Sequence, residues 1–287
     1  MPASPVRKPD PAGALAIVAG TGELPRMLAE ECRRRKRPYL VVIFEGIRLS
    51  WAEEHPVVPA VFEKPGKLFA ALRRAGCTQV TFAGGVRRPR LSPMRFDLKA
   101  IRLAPLLFRA MRSGDDTALR IVSEIFEAEG LSIVGAHRLL SHLIARPGVL
   151  TRTQPSDADR QDAARAAAIV QALGQVDVGQ GAVVAQGICL ATESIQGTDA
   201  MLDFVARTGA PFRPDPEGAN GVLLKAPKPG QDWRTDLPAI GPQTVAAAHA
   251  AGLAGVVVQA GGVLILGEAE TIARADQLGL FLWAREP

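Results

Sequence analysis

The 287-residue chain has little cysteine and little aromatic surface. Its three cysteines, Cys32, Cys77 and Cys189, are widely spaced. An odd number at such distances predicts neither a disulfide framework nor a thiolate metal site, so each is expected to be a small buried side chain in a reducing compartment. Aromatic residues make up 5% of the chain, with a single tyrosine. Because bases of single-stranded nucleic acid stack on aromatic side chains, this scarcity argues against nucleic acid as a partner.

Histidine is also scarce, and the sequence lacks the common catalytic signatures. The four histidines show no metal-ligand spacing, and His137 and His142 are five residues apart rather than the four that would align them on a helix. No serine or cysteine nucleophile motif is present, so a triad hydrolase has no support.

One long stretch lacks charge. Residues 237–267 contain no Asp, Glu, Lys or Arg, and a helix of this length would be long enough to cross a bilayer. However, Pro238 and several glycines divide the stretch into one helix-like piece and two strand-like runs, which predicts a buried core rather than a spanning helix. The first twelve residues are rich in proline and lack an apolar run, so they are expected to form a disordered tail and not a secretory signal.

Composition predicts a globular protein with anionic partners. Hydrophobic residues make up 47% and charged residues 22% of the chain, and the formal net charge is +5. The length allows one large or two ordinary domains.

The first half alternates between strand-like and helix-like segments. Strands are predicted at 15–19, 39–44 and 79–83, and helices at 25–36, 65–75, 96–112 and 117–129. This alternation is typical of βαβ units, so we expect a Rossmann-like domain with a parallel sheet over residues 13–148.

A linker at 149–155, bounded by Pro and Gly residues, is expected to lead into a second, distinct α/β domain over 156–287. Ser156 is a candidate N-cap for an alanine-rich helix that runs to about residue 173. Gln186-Gly187 predicts a hairpin turn between strands at 182–185 and 188–192. Further helices are predicted at 199–207, 245–251 and 269–278, and strands at 221–224, 255–258, 263–266 and 280–283.

The loop Gly20-Thr21-Gly22 lies where a dinucleotide-binding fingerprint would begin. That fingerprint needs a third glycine where Pro25 stands, and its acidic ribose partner would have to be Glu45. A nicotinamide-dependent enzyme is therefore a minor alternative, beside a plain connecting turn. The N–H groups at the start of the following helix are also candidates for binding an anion.

Acidic residues precede two predicted helices. Asp115 and Asp116 are expected to stabilise a helix start, and holding a cation is the alternative. Thr198 and Asp199 are likewise candidates for helix caps or for part of a phosphate-binding helix start.

The segment from Lys225 to Gly241 carries the strongest chemical signal. Its three prolines favour a stiff, extended loop, which presents Lys225, Lys228, Arg234 and Asp236. Lysine and arginine balance phosphate charge, and a carboxylate can bind Mg²⁺ or orient a water. A solvated linker is the alternative interpretation.

Residues 87–112 form a basic amphipathic segment, with eight Lys or Arg residues, one Asp and interleaved apolar side chains. Such a segment is typical of contact with an anionic membrane surface, while an ordinary core-facing helix is the alternative.

Seven segments, taken in order, resemble the LpxI family of UDP-2,3-diacylglucosamine pyrophosphatases. They cover most of the chain after residue 13: 17–25, 82–89, 114–120, 135–137, 177–184, 197–202 and 225–241. The resemblance implies hydrolysis of UDP-2,3-diacylglucosamine to UMP and 2,3-diacylglucosamine 1-phosphate in lipid A biosynthesis. It also implies Mg²⁺ as cofactor, two domains around the substrate, and peripheral attachment to the cytoplasmic face of the inner membrane.

Asp236 matches the essential aspartate of the family's Asp-Leu-Pro-x-Ile-Gly motif, which implies a catalytic and metal-binding role. The implied substrate-binding residues are Gly20, Thr21, Gly22, Gly84, Gly85, Gln180, Thr198, Asp199, Lys225 and Lys228. A binding protein without pyrophosphatase activity is the alternative function. Subunit association is left open, and a homodimer is one arrangement it allows.

Overall fold

The computed structural model describes residues 13–287, which divide into two compact units. The first unit comprises residues 13–112 and 120–139, and the second comprises 113–119 and 140–287. The main part of the second unit begins at Leu140, ahead of the expected linker at 149–155. Residues Gly148–Val149 form a strand that pairs with the last strand of the second unit. The tail predicted at residues 1–12 lies outside the described residues.

The first unit contains a sheet of five strands, which is parallel, as predicted. Its strands are β1 (Ala14–Ala19), β2 (Tyr39–Phe44), β3 (Val57–Ala60), β4 (Cys77–Ala83) and β5 (Ser132–Ile133), in the order β3-β2-β1-β4-β5. Its helices are α1 (Leu24–Arg34), α2 (Pro65–Arg74), α3 (Leu98–Met111), α4 (Asp115–Ala128) and α5 (Ala136–Leu139); the first residues of α4 belong to the second unit.

Strand burial explains this arrangement. All six residues of β1 are buried, as expected for a central strand of a parallel sheet whose two faces are both covered. No strand was predicted at β3, because Pro59 lies within it. As β3 is the edge strand, the missing proline N–H is tolerated there.

The second unit contains a mixed six-stranded sheet. Its strands, in the order β6-β13-β11-β9-β7-β8, are β6 (Gly148–Val149), β7 (Gly181–Ala185), β8 (Ile188–Thr192), β9 (Val222–Lys225), β11 (Gly255–Gln259) and β13 (Phe281–Arg285). A short parallel pair joins β10 (Ala239–Ile240) to β12 (Leu264–Ile265). The helices are α6 (Asp157–Gln175), α7 (Thr198–Thr208), α8 (Pro242–Ala250) and α9 (Glu268–Leu278).

Helices cover both faces of this sheet. Val183, Leu223 and Val256 pack with side chains of α7, α8 and α9 in one cluster. Their sequence neighbours Val184 and Leu224 pack in a second cluster with the alanines of α6. The alternation of side chains along each strand therefore supplies two separate cores.

Two of these elements were predicted correctly from local sequence signals. Ser156 Oγ accepts a hydrogen bond from Asp159 N at 3.2 Å, and Asp159 accepts one from Ser156 N at 2.9 Å, which forms a capping box at the start of α6. Gln186 and Gly187 both have positive φ, at 52° and 79°, as the hairpin between β7 and β8 requires.

Two other expectations concern burial. Cys32 and Cys77 are buried as predicted, but the prediction was wrong for Cys189, which is exposed on β8, the edge strand of its sheet. Among the residues that the structure describes, no helix is long and apolar enough to cross a bilayer.

Candidate functional site

A small cavity in the second unit brings together several of the predicted site residues. Its volume is about 80 Å³. The residues around it come from the start of α4, the segment before β7, the end of β8 and the loop after β9. They are Asp115, Asp116, Leu119, Val178, Gly179, Gln180, Glu193, Ser194, Lys228, Gln231 and Asp236.

The loop between β9 and β10 forms one wall of this cavity and is held by its own hydrogen bonds. Gln231 accepts a hydrogen bond from Lys228 N at 2.9 Å and donates one to Asp236 O at 3.4 Å. The loop also lies against the end of α6, where a Cβ added to Gly174 would be 2.6 Å from Pro229 Cδ. The segment is a loop, as predicted, since β9 ends at Lys225 and β10 begins at Ala239. It is not extended throughout, however, because residues 229–230 and 233–235 form turns.

Lys228 lies in the cavity wall, and Asp177 holds it there. The Lys228 Nζ atom donates to Asp177 Oδ1 at 2.6 Å, and only 9% of the lysine side chain is exposed. Asp177 also accepts hydrogen bonds from Asp116 N and Thr117 N, at 3.3 and 3.2 Å. Burial opposes ionisation of Asp177, but the bond from Lys228 and the amides of α4 outweigh it, so the pKa of Asp177 lies below its usual value.

Lys225 lies behind the cavity wall rather than in it. Its Nζ atom donates to Thr198 Oγ1 at 2.7 Å and to Ala239 O at 3.4 Å, and the residue is 7% exposed. Thr198 in turn donates to Glu193 Oε1 at 2.8 Å, and Lys225 Nζ is 3.8 Å from the same oxygen. The structure therefore joins Lys225 and Thr198 to the cavity through Glu193.

Asp236 is the acidic residue that the sequence singled out, and it lines the cavity. Asp236 is an exposed residue, although many protein atoms lie around its carboxylate. This desolvation raises the pKa of Asp236; Lys225 and Lys228 act in the opposite direction, and Asp116 adds to the rise. A bound cation would therefore favour the ionised form of Asp236.

The other predicted residues lie elsewhere. Asp199 is exposed in the first turn of α7 and does not line the cavity. Gly20, Thr21, Gly22, Gly84 and Gly85 belong to the first unit, where the loops after β1 and β4 meet. There Gly20 N donates to Ala83 O and Thr21 N to Gly85 O, both at 2.8 Å. Because these N–H groups are bonded, Gly20 and Thr21 do not offer the amides that a dinucleotide pyrophosphate needs.

No preformed metal cage exists in residues 13–287. Within that range, no three His, Cys, Asp or Glu side chains lie close enough together to enclose a metal ion. Mg²⁺, however, keeps several waters and binds proteins through one or two carboxylates together with substrate phosphates. The carboxylates of Asp115, Asp116, Glu193 and Asp236 around one cavity fit that mode of binding.

Comparison with known proteins places the whole chain in one family. Residues 14–143 match the LpxI N-terminal domain, and residues 146–283 match the LpxI C-terminal domain. The chain belongs to the LpxI family. It is 40% identical over 273 residues to UDP-2,3-diacylglucosamine pyrophosphatase LpxI of Caulobacter vibrioides, an alignment that covers 95% of this chain and 98% of that protein.

Reasoning from sequence missed three residues of this LpxI site: Asp177, Glu193 and Gln231. Asp177 immediately precedes the Val-Gly-Gln-Gly segment, and Glu193 follows the end of β8. A polar residue at a strand end, or one beside closely spaced glycines, is a signal that could have identified the first two.

Proposed function

We propose that this protein hydrolyses the pyrophosphate bond of UDP-2,3-diacylglucosamine. The products are UMP and 2,3-diacylglucosamine 1-phosphate, and the reaction serves lipid A biosynthesis. Water supplies an oxygen to one phosphorus while the bond from that phosphorus to the bridging oxygen breaks. The observation that carries the proposal is a cavity in which Asp236 and Lys228 lie together, within a chain that aligns with a named pyrophosphatase along almost its full length.

The charges around the cavity support a requirement for Mg²⁺. Four carboxylate residues line the cavity, and Lys228 is its only lysine or arginine among the described residues. A pyrophosphate would be repelled from such a lining without a further positive charge. Asp236 would hold Mg²⁺, which when bound neutralises phosphate oxygens and the charge that develops as the P–O bond breaks.

The residues of the chain then have separate roles. Lys228 has three N–H donors, of which Asp177 takes one, so the ammonium is held in place with donors left for a phosphate oxygen. Lys225 acts through Glu193 and the local field rather than by contact, because Thr198 and Ala239 take its hydrogen bonds. Asp236 binds the cation or orients the attacking water.

One assay distinguishes the candidate functions. The protein is incubated with UDP-2,3-diacylglucosamine in Mg²⁺ and in EDTA, and UMP is measured. Release of UMP in Mg²⁺ alone is expected. Binding of the substrate without UMP release would identify a binding protein instead, and an absorbance change with NAD(P)H would identify a nicotinamide enzyme.

A matched pair of variants assigns the role of Asp236. Asp236→Asn keeps the shape and removes the charge, and a loss of at least a hundredfold in kcat is expected, on the order seen when electrostatic stabilisation is removed. Asp232→Asn is the control, because Asp232 lies in the same loop but its carboxylate bonds Arg234 at 2.7 Å. Normal turnover by Asp236→Asn would contradict the assigned role.

The proposed partner of the first unit is the cytoplasmic surface of the inner membrane. Around α3, apolar side chains recur at helical spacing and are exposed: Met94 by 98%, Leu98 by 78%, Ile101 by 58% and Phe108 by 41%. Arg102, Arg109 and Arg112 are exposed nearby in sequence. Exposed apolar and basic side chains on and beside one helix suit an anionic bilayer, where each cation adds about 1 kcal/mol.

Vesicle flotation tests this attachment. Binding to anionic vesicles is expected to weaken as salt rises, and Leu98→Asn with Ile101→Asn should weaken it at every salt concentration. Phe204→Asn is the matched control, since Phe204 is an exposed apolar residue on α7. Vesicle binding that is unchanged both by salt and by the α3 substitutions would contradict the proposal.

A further inference from the structure

Two buried oxygen atoms at the cavity lack a hydrogen-bond donor among the described residues. They are Glu193 Oε2 and Gln180 Oε1, and both residues line the cavity. Nearly all buried polar atoms in native proteins are hydrogen-bonded, because an unsatisfied one is costly to bury. Two such acceptors on the wall of one cavity indicate a ligand that donates hydrogen bonds.

The rest of the Glu193 side chain is firmly held. Its Oε1 atom accepts a hydrogen bond from Thr198 Oγ1 at 2.8 Å and lies 3.8 Å from Lys225 Nζ, and the side chain is 8% exposed. These contacts leave Oε2 as the oxygen available to the cavity. The absence of a side chain at Gly181 preserves its space, since a Cβ there would be 2.9 Å from Oε2.

The charge around the cavity defines the class of ligand. The two unsatisfied acceptors lie in the same lining as the carboxylates of Asp115, Asp116 and Asp236. A cation is favoured in such a lining, and a hydrated divalent cation offers water O–H donors to acceptors. At about 80 Å³ the cavity has room for a few waters, each of which occupies about 30 Å³ in the liquid.

We infer that Glu193 and Gln180 accept hydrogen bonds from the water shell of the divalent cation held by Asp236. Both are positioning residues, because they act on the cation through its waters, and Thr198 and Lys225 keep Glu193 aimed at the cavity. This inference rests on the proposed function for the presence of the cation.

The test is Mn²⁺ binding to the full-length, substrate-free protein, followed by electron paramagnetic resonance of the free ion. Glu193→Gln and Gln180→Met are each expected to weaken Mn²⁺ binding by about tenfold, as loss of outer-shell partners does elsewhere. Asp203→Asn, at an exposed ion pair on α7, is the control and should bind as the wild type does.

A second measurement separates this role from a structural one. Glu193→Gln leaves the buried Lys225 charge less compensated and is expected to lower stability, so its fold is checked by circular dichroism. Gln180→Met removes an unsatisfied acceptor and should raise the melting temperature of the metal-free protein while weakening Mn²⁺ binding. If Glu193→Gln does not fold, Gln180→Met decides the question.

Wild-type affinity for Mn²⁺ in folded Glu193→Gln and in Gln180→Met would overturn the inference. Absence of Mn²⁺ binding by the wild type would overturn it as well. Failure of the proposed function is recognised separately, as the absence of UMP release from UDP-2,3-diacylglucosamine in Mg²⁺.

Discussion

Replacing Asp177 by Asn tests the contact that fixes Lys228 in the cavity wall. The carboxylate of Asp177 accepts hydrogen bonds from Lys228 Nζ at 2.6 Å and from Thr117 N and Oγ1, both at 3.2 Å. Asparagine keeps one acceptor oxygen but removes the charge. Lys228, whose side chain is only 9% exposed, then loses its ionic partner.

The magnitude follows from two contributions. A hydrogen bond to a charged group contributes about 1.5–3 kcal/mol, and a carboxylate at a helix start adds about 0.3–1 kcal/mol. Asparagine still accepts from the amides of α4, so part of the second contribution remains. We expect Asp177→Asn to lower the free energy of unfolding of the second unit by about 2 kcal/mol at pH 7.

The pH dependence has a definite sign. The pKa of Asp177 is lowered in the folded protein, so its stabilisation is present above the unfolded value of 3.8 and is lost as pH falls through the folded pKa. Urea unfolding, followed by circular dichroism, should give the same difference between wild type and variant at pH 7 and pH 5. The difference should shrink below pH 3.8.

Asp203→Asn is the control for this measurement, because Asp203 and Arg207 form an exposed ion pair on α7. Its loss should cost no more than about 0.5 kcal/mol. A cost for Asp177→Asn as small as that of the control, or one that persists unchanged below the folded pKa, would refute the reasoning.

Three further outcomes are expected. Asp236→Asn should raise the melting temperature of the metal-free protein at pH 7, because a carboxylate whose pKa is raised by folding lowers stability when it is ionised. An unchanged or lower melting temperature would contradict this. Gly20→Ala should destabilise the first unit by about 1–3 kcal/mol in urea unfolding, because its Cβ would be 2.5 Å from Gly85 O; full stability would show that the two loops can separate. One thiol per chain, Cys189, should react rapidly with Ellman's reagent in the native protein, since the other two cysteines are buried; three equally fast thiols would contradict the described packing.

The sequence predicted those elements whose cause is local. A capping residue marked the start of α6, and a Gln-Gly pair with left-handed backbone marked the hairpin after β7. The edge strand β3 and the short strand β10 were missed, whereas β12 lies within the strand predicted at 263–266. Pro59 lies inside β3, and β10 has only two residues and depends on β12, a partner distant in sequence.

The candidate site was predicted in part. Asp236 and Lys228 could be named from a loop motif, and both line the cavity. Lys225 was expected to face phosphate, but its position at the end of a wholly buried strand places it behind the wall. Asp177 was missed as a site residue because its partner Thr117 is 60 residues away, and no local pattern reveals a contact over that separation.

Asp177 also links the state of the cavity to the start of α4. The same carboxylate receives the ammonium of Lys228 and the amides of Asp116 and Thr117. A phosphate that draws the ammonium toward itself leaves the two amides as the main partners of that carboxylate. Hydrogen–deuterium exchange at Asp116 and Thr117 would then slow when substrate arrives, which turns the first turn of a helix into an internal reporter of occupancy.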